Sequence, residues 1–210
     1  MSLNLTQLSK LSNEFYRENK ESIGDIILFG SILKGARKPN DVDILIVFKE
    51  KQDIQLAIQL RKKLEHVIKD LEVNITYKTK KGMKEPGFSA RDAILFEGYS
   101  LINKSFISSD YGFESLGLFI YQTKGLKNTE KTKFYYALNG RRGSKGFLES
   151  INAIKLSDNL IFVPRENIGQ THDFFKFWNI ENTYVPSLIP LGLARKSIIG
   201  KLDSITKKTN

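Results

Sequence analysis

The chain has 210 residues, with 33 basic and 23 acidic side chains, a formal charge of +10 and no cysteine. This length allows one good core or two small ones, the lack of thiols excludes disulfides and thiolate metal sites, and the charge favours a polyanionic partner. No apolar run approaches the roughly 18 residues of a membrane-spanning helix, and the N-terminus lacks a secretion signal. We therefore expect a cytoplasmic protein without a membrane partner, whose oligomeric state the sequence leaves open.

The first predicted elements lead to a turn that contains a Gly-Ser pair. The apolar spacing of residues 4–21 predicts a helix, and residues 26–29 have the composition of a buried strand. Gly30 and Ser31 follow, where a turn without a bulky side chain exposes backbone amides and a hydroxyl. Three basic side chains come next and suit phosphate oxygens: Lys34, Arg37 and Lys38.

A second apolar strand, residues 43–48, begins at two alternating aspartates. Side chains alternate between the faces of a strand, so Asp41 and Asp43 point the same way with Cα atoms roughly 6.5 Å apart. Two carboxylates on one face repel each other unless a cation lies between them. This pattern fits either two solvated acids at an exposed strand end or a divalent-metal site. The Gly-Ser pair before it favours the metal, with a nucleoside triphosphate as ligand.

This spacing resembles that of the nucleotidyltransferases of the DNA polymerase β superfamily, particularly the minimal nucleotidyltransferase branch. The matching residues are Gly30, Ser31, Gly35, Asp41, Val42 and Asp43. The resemblance covers residues 20–102 and implies an α+β (α/β) domain with a mixed sheet flanked by helices. It also implies that the two aspartates bind two Mg²⁺ ions, that the serine contacts the triphosphate, and that a third carboxylate helps to activate the acceptor hydroxyl. The predicted nucleotide site contains Gly30, Ser31, Lys34 and Arg37.

The third carboxylate of this family is replaced by an amide. After a predicted helix at residues 52–70 comes a predicted strand at residues 73–77, and Asn74 stands where the family usually has an aspartate. Its oxygen can still contact a metal, but an amide is a poor proton acceptor, which weakens general-base catalysis. Glu72 lies two residues earlier on the same face and is a candidate substitute. The predicted catalytic set is therefore Asp41, Asp43, Glu72 and Asn74.

The first domain is predicted to span residues 1–105 and to close with a helix at residues 90–102 that Ser89 caps. Residues 106–210 then form a predicted small α+β accessory domain that binds a substrate or nucleic acid. Its predicted strands are residues 116–122 and 159–164. Its predicted helices run from Asn128 or Thr129 to Gly140 and over residues 166–179, while residues 147–156 fit either structure.

A basic loop and an aromatic cluster are the notable features of the second half. Residues 140–146, GRRGSKG, combine flexible glycines with three donors for the phosphates of a nucleic acid: Arg141, Arg142 and Lys145. A helix end followed by a solvated basic loop is the alternative. Four aromatic residues favour packing against a small sheet over base stacking: Phe174, Phe175, Phe177 and Trp178. For His66 and His172, surface or capping roles are the default.

The sequence favours an enzyme that transfers a nucleoside monophosphate from a nucleoside triphosphate to an acceptor hydroxyl of RNA, DNA or a protein. Asn74 leaves a second interpretation open, which is a nucleotide- or nucleic-acid-binding module that has lost turnover. A third is an interaction subunit, such as the antitoxin of a toxin–antitoxin pair. The sequence does not define the preferred base.

Overall fold

The computed structural model describes residues 5–34, 41–68 and 71–193. The chain divides into two compact units, Met1–Tyr111 and Gly112–Asn210. The sequence predicts a division near residue 105, and the functions that it assigns to the two domains stay predictions. Within the described ranges, no helix has both the length and the apolar character that a membrane crossing requires.

Unit 1 contains a five-stranded mixed sheet with the strand order β3-β2-β1-β4-β5. Its elements are α1 (Leu5–Glu18), β1 (Ile23–Phe29), β2 (Asp41–Phe48), α2 (Ile54–Val67), β3 (Glu72–Thr79), α3 (Arg91–Glu97), β4 (Tyr99–Ser100), β5 (Ser105–Phe106) and α4 (Ile107–Asp110). β2 and β3 run parallel, whereas the other neighbouring strands are antiparallel. The predicted mixed sheet with flanking helices is confirmed.

Helices pack on both faces of this sheet because its central strands are apolar on both sides. On one face, buried side chains of β1 and β2 pack against α1 and α2. On the other face, Ile27 and Leu45 pack with Ile94 of α3. Asp41 and Asp43 continue the alternation of Leu45 along β2. The two acids therefore belong to the face on which α3 packs.

Helix α3 is shorter than the sequence predicts. It ends at Glu97, and Ala90 precedes it without a capping side-chain hydrogen bond, so the predicted cap at Ser89 is wrong. The following residues form β4, in which Ser100 pairs with Ile27 of β1. The apolar run at the end of the predicted helix suits a helix or a strand, and pairing with β1 decides between them.

Unit 2 contains a four-stranded antiparallel sheet with the order β11-β6-β10-β9 and a separate two-stranded ribbon, β7-β8. Its elements are β6 (Phe113–Gln122), α5 (Asn128–Asn139), β7 (Gly140–Arg141), β8 (Ser144–Lys145), α6 (Phe147–Ser150), β9 (Ile154–Ser157), β10 (Leu160–Pro164), α7 (Ile168–Phe177), β11 (Glu181–Pro190) and α8 (Leu191–Leu193). The α+β character predicted for this half is confirmed.

Two details of unit 2 differ from the sequence-based expectations. Lys127 precedes α5, and its backbone N–H donates to Glu130 Oε2 at 2.9 Å, so neither Asn128 nor Thr129 is the cap. Strand β11 was not predicted, because Pro186 interrupts it. It forms one edge of the sheet, where proline is tolerated since one side of the strand needs no ladder hydrogen bonds.

The aromatic cluster packs largely inside unit 2. Phe175 is fully buried, with its ring centroid 5.1 Å from that of Tyr121 on β6. Phe174 stacks on Phe147 at 4.1 Å. Phe177 differs, since 82% of it is exposed. The prediction of packing against the sheet is thus confirmed for Phe175, whereas Phe177 faces solvent.

The two histidines contact their surroundings in different ways. His66 is exposed on α2, and its Nδ1 lies 2.9 Å from the Lys62 carbonyl oxygen. The ring of His172 on α7 lies edge-on to that of Phe119 at 5.0 Å. Both histidines are exposed, so the expected surface role is confirmed for each, and His172 also contacts an aromatic ring of β6.

Candidate active site at the start of strand β2

The two aspartates converge on one amide group where β2 and β3 begin. The parallel register pairs Asp41 with Glu72 and Asp43 with Asn74. Asn74 Nδ2 donates to Asp41 Oδ2 at 3.2 Å and lies 3.4 Å from Asp43 Oδ1, a longer and weaker contact. Because one nitrogen reaches both carboxylates, the two aspartate side chains share a face of the sheet, as the alternation predicts.

The electrostatics of this acid pair favour an added positive charge. Burial raises the pKa of the Asp43 carboxyl, and the negative charge of Asp41 raises it further. The hydrogen bond from Asn74 acts in the opposite direction and does not cancel these effects. A proton or a cation relieves such repulsion, so the pair is suited to binding one.

The Gly-Ser turn lies directly beside Asp43. Phe29, the last residue of β1, pairs with Asp43, which brings Gly30 against the aspartate. Gly30 has a φ of +93°, a backbone conformation that residues other than glycine rarely adopt. A Cβ at this position would also overlap Asp43 Oδ2. Ser31 follows as the exposed first residue of a 3₁₀ turn, Ser31–Lys34.

A buried glutamate, which sequence reasoning missed, supports this turn from α3. Glu97 is 3% exposed. The Gly30 backbone N–H donates to its Oε1 at 3.1 Å, and Lys34 Nζ lies 3.0 Å from its Oε2. A glutamate within the apolar stretch AILFEGYSLI was the available signal, since a buried acid needs partners. The predicted phosphate contacts Gly30 and Lys34 are thus both engaged by a carboxylate.

The remaining predicted residues of this site are Glu72 and the rest of the turn. Glu72 is exposed at the start of β3, opposite Asp41 in the register. Among the residues that the structure describes, no three His, Cys, Asp or Glu side chains are grouped to hold a metal, so Glu72 does not complete a three-carboxylate cluster with the pair. Four residues of the predicted turn lie outside the described residues: Gly35, Arg37, Lys38 and Pro39.

The predicted basic loop of unit 2 is a short β-ribbon. Gly140 pairs with Lys145 and Arg141 with Ser144, which leaves Arg142 at the exposed tip. The Arg141 guanidinium lies 5.1 Å from the centroid of the Tyr136 ring. Lys145 Nζ lies 3.2 Å from Glu149 Oε1. The structure therefore brings the three predicted cations together on one ribbon, with the charge of Lys145 partly compensated.

The mixed sheet and the acid pair beside a Gly-Ser turn define a nucleotidyltransferase-type domain. Residues 10–95 match the family model described as "Polymerase beta, Nucleotidyltransferase". This part of the chain is therefore a nucleotidyltransferase domain of that family. No curated protein matches the chain.

Several solved structures of toxin–antitoxin complexes are similar to part of the chain. One, with AMP-PNP, has 24% identity and a TM-score of 0.36, over 47% of this chain and 73% of that chain. The MntA-HepT complex has 21% identity and a TM-score of 0.32, over 48% and 71% of the two chains. A tri-AMPylated Shewanella oneidensis HEPN toxin with an MNT antitoxin has 21% identity and a TM-score of 0.30, over 47% and 69%. These values establish neither a partner nor a substrate for this chain.

Proposed function

We propose that the chain is a metal-dependent nucleotidyltransferase that moves a nucleoside monophosphate from a nucleoside triphosphate to an acceptor hydroxyl. In this reaction the acceptor oxygen bonds to the α-phosphorus, the bond to the departing pyrophosphate breaks, and the hydroxyl loses its proton. The observation that carries the proposal is the convergence of Asp41 and Asp43 beside the Gly30–Ser31 turn. The family of residues 10–95 supports the reaction type.

The donors of the acid pair fit magnesium. Asp41 and Asp43 supply carboxylate oxygens, which Mg²⁺ prefers, and the repulsion that helps to raise the pKa of Asp43 favours a cation beside them. These two aspartates would hold the metal, and Asn74 contributes either its amide oxygen or its hydrogen bonds to them. Bound magnesium would neutralise phosphate charge and polarise the α-phosphate. The two ions and the minimal branch implied by the family resemblance remain part of this proposal.

The triphosphate binds at the turn in this proposal. Ser31 is exposed there, and its hydroxyl and backbone amide are donors. The Gly30 amide already donates to Glu97, so it is not counted among the phosphate contacts. Lys34 carries three ammonium protons, of which the ion pair with Glu97 uses one. Arg37 completes the proposed set.

Removal of the acceptor proton is the step in which this chain departs from its family. The neutral amide of Asn74 cannot take up that proton, and its Nδ2 instead holds the two carboxylates together. Glu72, exposed and paired in register with Asp41, is the proposed proton acceptor. A general base typically contributes about 10²–10⁴-fold, so turnover persists at a lower rate if Glu72 acts poorly.

Unit 2 selects the acceptor in this proposal. The β7-β8 ribbon presents the exposed Arg141 and Arg142, and Tyr136, beneath the Arg141 guanidinium, is 47% exposed. Adjacent cations and an aromatic face suit the phosphates and bases of a nucleic acid. RNA is therefore the first acceptor to test, followed by DNA and a protein hydroxyl.

One observation favours a second function, a nucleotide-binding module without turnover. Asn74 Nδ2 already bridges the two carboxylates, so the pair is stabilised without a third acid that would take a proton. Such a module would bind a nucleoside triphosphate with magnesium and release no pyrophosphate. An interaction subunit, the third possibility drawn from the sequence, would retain a partner protein through purification.

Pyrophosphate release tests the proposal directly. The full chain is incubated with each of the four ribonucleoside triphosphates, with magnesium or with EDTA, in the presence and absence of RNA. The proposal predicts magnesium-dependent release that an acceptor stimulates. Nucleotide binding without release in every mixture would instead support the binding module.

A further inference from the structure

The Gly30–Ser31 turn is fastened to the rest of unit 1 by a buried carboxylate, that of Glu97. Glu97 is almost completely buried, while the Lys34 side chain is 37% exposed. One carboxylate oxygen accepts from the Gly30 backbone, and the other lies within ion-pair distance of Lys34 Nζ. A single side chain from α3 therefore contacts the last residue of the four-residue 3₁₀ turn and the glycine that precedes the turn.

The sheet register explains why Glu97 reaches this turn. β4 is antiparallel to β1, with Tyr99 opposite Leu28 and Ser100 opposite Ile27. Continuing the antiparallel register by two residues places Glu97 opposite Gly30. Gly98 permits this close approach, since a Cβ there would lie 3.2 Å from an Ile27 side-chain atom and would overlap the Ile94 carbonyl. Glu97 is thus directed by the β1-β4 ladder as well as by α3.

The backbone at Gly30 lies between two carboxylates. Asp43 Oδ2 contacts it on one side, where a Cβ would overlap that oxygen, and Glu97 accepts its N–H. The Glu97 charge is buried, so it depends on its two partners, because an unpartnered buried carboxylate is strongly unfavourable. The position of the turn relative to Asp43 is therefore coupled to the Glu97–Lys34 pair.

From this geometry we propose that Glu97 and Lys34 are a positioning pair that holds the Gly30–Ser31 turn against Asp43 before any nucleotide binds. This inference rests on the proposed function for its kinetic consequence, since the turn is the proposed triphosphate site. Lys34 acts chiefly as the counterion of Glu97. The backbone amide and hydroxyl of Ser31, rather than the Gly30 amide, are then the donors available to the phosphates.

Amide hydrogen exchange of the full chain without nucleotide tests the fastening itself. In Glu97→Ala the Gly30 amide should exchange at least about tenfold faster, because its acceptor is lost, while amides of the central strand β2 stay protected. In Glu97→Gln the side-chain oxygen still accepts from Gly30, so its exchange should remain within about threefold of wild type. Unchanged Gly30 exchange in Glu97→Ala would overturn the proposal.

Steady-state kinetics with magnesium and ATP test the positioning role. Both Glu97 variants should lower kcat by at least about tenfold: Glu97→Gln loses the ion pair with Lys34, and Glu97→Ala, the more severe change, also loses the hydrogen bond from Gly30. KM should change less than kcat, since Ser31 and the aspartates still bind the nucleotide. Glu97→Gln keeps the volume of the buried side chain, so it supplies the result if Glu97→Ala fails to fold.

Glu65→Gln is the matched control. It also removes the acid of an ion pair, Arg61–Glu65 at 2.8 Å, but on the exposed surface of α2, so exchange at Gly30 and kcat should stay at wild-type values. Wild-type kcat in both Glu97 variants would overturn the positioning role while leaving the proposed function intact. If the wild type is inactive but exchange at Gly30 still depends on Glu97, the proposed function is contradicted, whereas the role of Glu97 in holding the turn is supported.

Discussion

Asp25 on β1 and Asp43 on β2 are two partly buried acids of the same sheet with different surroundings. Burial raises the pKa of both carboxyl groups. Around Asp25, the Ser100 hydroxyl and the Ile26 backbone N–H both donate to Oδ1 at 2.8 Å. Asp43 has a long contact from Asn74, and the charge of Asp41 is the largest cause of its raised pKa after burial. Asp110 also raises the pKa of Asp25, but by less than burial does, and Lys80 lowers it. Burial is thus common to both residues, and the unneutralised pair distinguishes the candidate site.

The largest expected effect comes from removing the charge of Asp43. Asp43→Asn should reduce magnesium-dependent pyrophosphate release more than about 100-fold, which exceeds the usual effect of changing a residue that only supports a metal ligand. Folding should survive, because the substitution removes repulsion with Asp41. Release is measured beside the thermal unfolding of the same sample.

Asp25→Asn is the matched control for that substitution, since it changes the same chemical group on the neighbouring strand. The asparagine oxygen can still accept from Ser100 and Ile26, and the substitution removes a charge that burial disfavours, so stability should change by less than about 1 kcal/mol while turnover stays near wild type. Equal losses of turnover in the two variants would remove the distinction between the two acids, and unfolding of Asp43→Asn would make the pair structural.

Adding a carboxylate at position 74 tests whether Asn74 occupies the position of the missing general base. Asn74→Asp should raise turnover at least about tenfold, because a carboxylate can take up the proton of the acceptor hydroxyl and general bases contribute about 10²–10⁴-fold. Three neighbouring carboxylates repel one another, so the variant should unfold at a lower temperature than wild type and gain more thermal stability from added magnesium. Turnover and the unfolding temperature are both measured over one magnesium titration.

Unchanged turnover in Asn74→Asp would show that position 74 is not the missing base. Glu72→Gln then provides the next comparison, since Glu72 lies two residues before Asn74 on β3 and pairs with Asp41. A loss of turnover in Glu72→Gln would place the proton transfer there.

The basic ribbon of unit 2 should give a smaller effect, confined to acceptor binding. Replacing Arg141, Arg142 and Lys145 together with glutamine should weaken RNA binding and reduce the slope of log K against log salt by about 0.7 per lost phosphate contact. The single variant Lys145→Gln should change this slope less, because Lys145 already pairs with Glu149. An unchanged slope in the triple variant would exclude the ribbon from the binding surface.

The smallest effect is on the pH dependence of stability. Folding raises the pKa of Asp43 above the ordinary value of 3.8, so the folded state holds the proton more tightly than the unfolded chain. The resulting stabilisation is full below 3.8 and is lost as the pH rises through the raised pKa. Protonated Asp43 resembles asparagine, so urea unfolding should give wild type and Asp43→Asn similar stabilities below pH 3.8, and wild type should become the less stable of the two as the pH rises through the raised pKa.

Asp41→Asn distinguishes Asp43 from Asp25 in the same urea unfolding experiment. The charge of Asp41 is one cause of the raised pKa of Asp43 and is not among those of Asp25. Without Asp41 the contribution of Asp43 should therefore shrink, while that of Asp25 should persist. An unchanged contribution of Asp43 would mean that the charge of Asp41 does not raise its pKa.

The sequence predicted the parts of the site that depend on local periodicity. Strand alternation gives the shared face of Asp41 and Asp43, and the order of the elements places Asn74 on a neighbouring strand. The contact of Asn74 with both acids follows from the parallel register of β2 and β3. These features depend on residues within one strand or on two strands with strong apolar patterns.

The features that the sequence did not reveal depend on contacts between distant residues. Glu97 reaches Gly30 across 67 positions of the chain, and it does so because β4 pairs with β1 where a longer helix was predicted. Strand β11 was missed because Pro186 disfavours a strand except at a sheet edge. In both regions tertiary pairing overrides the local preference of the sequence.

A crystal structure of the chain with magnesium and a non-hydrolysable nucleoside triphosphate tests most directly whether the acid pair and the turn together form the nucleotide site. We predict metal bound to oxygens of Asp41 and Asp43, and triphosphate oxygens within hydrogen-bond distance of Ser31. A nucleotide bound elsewhere, or at the turn with no metal at the two aspartates, would contradict it.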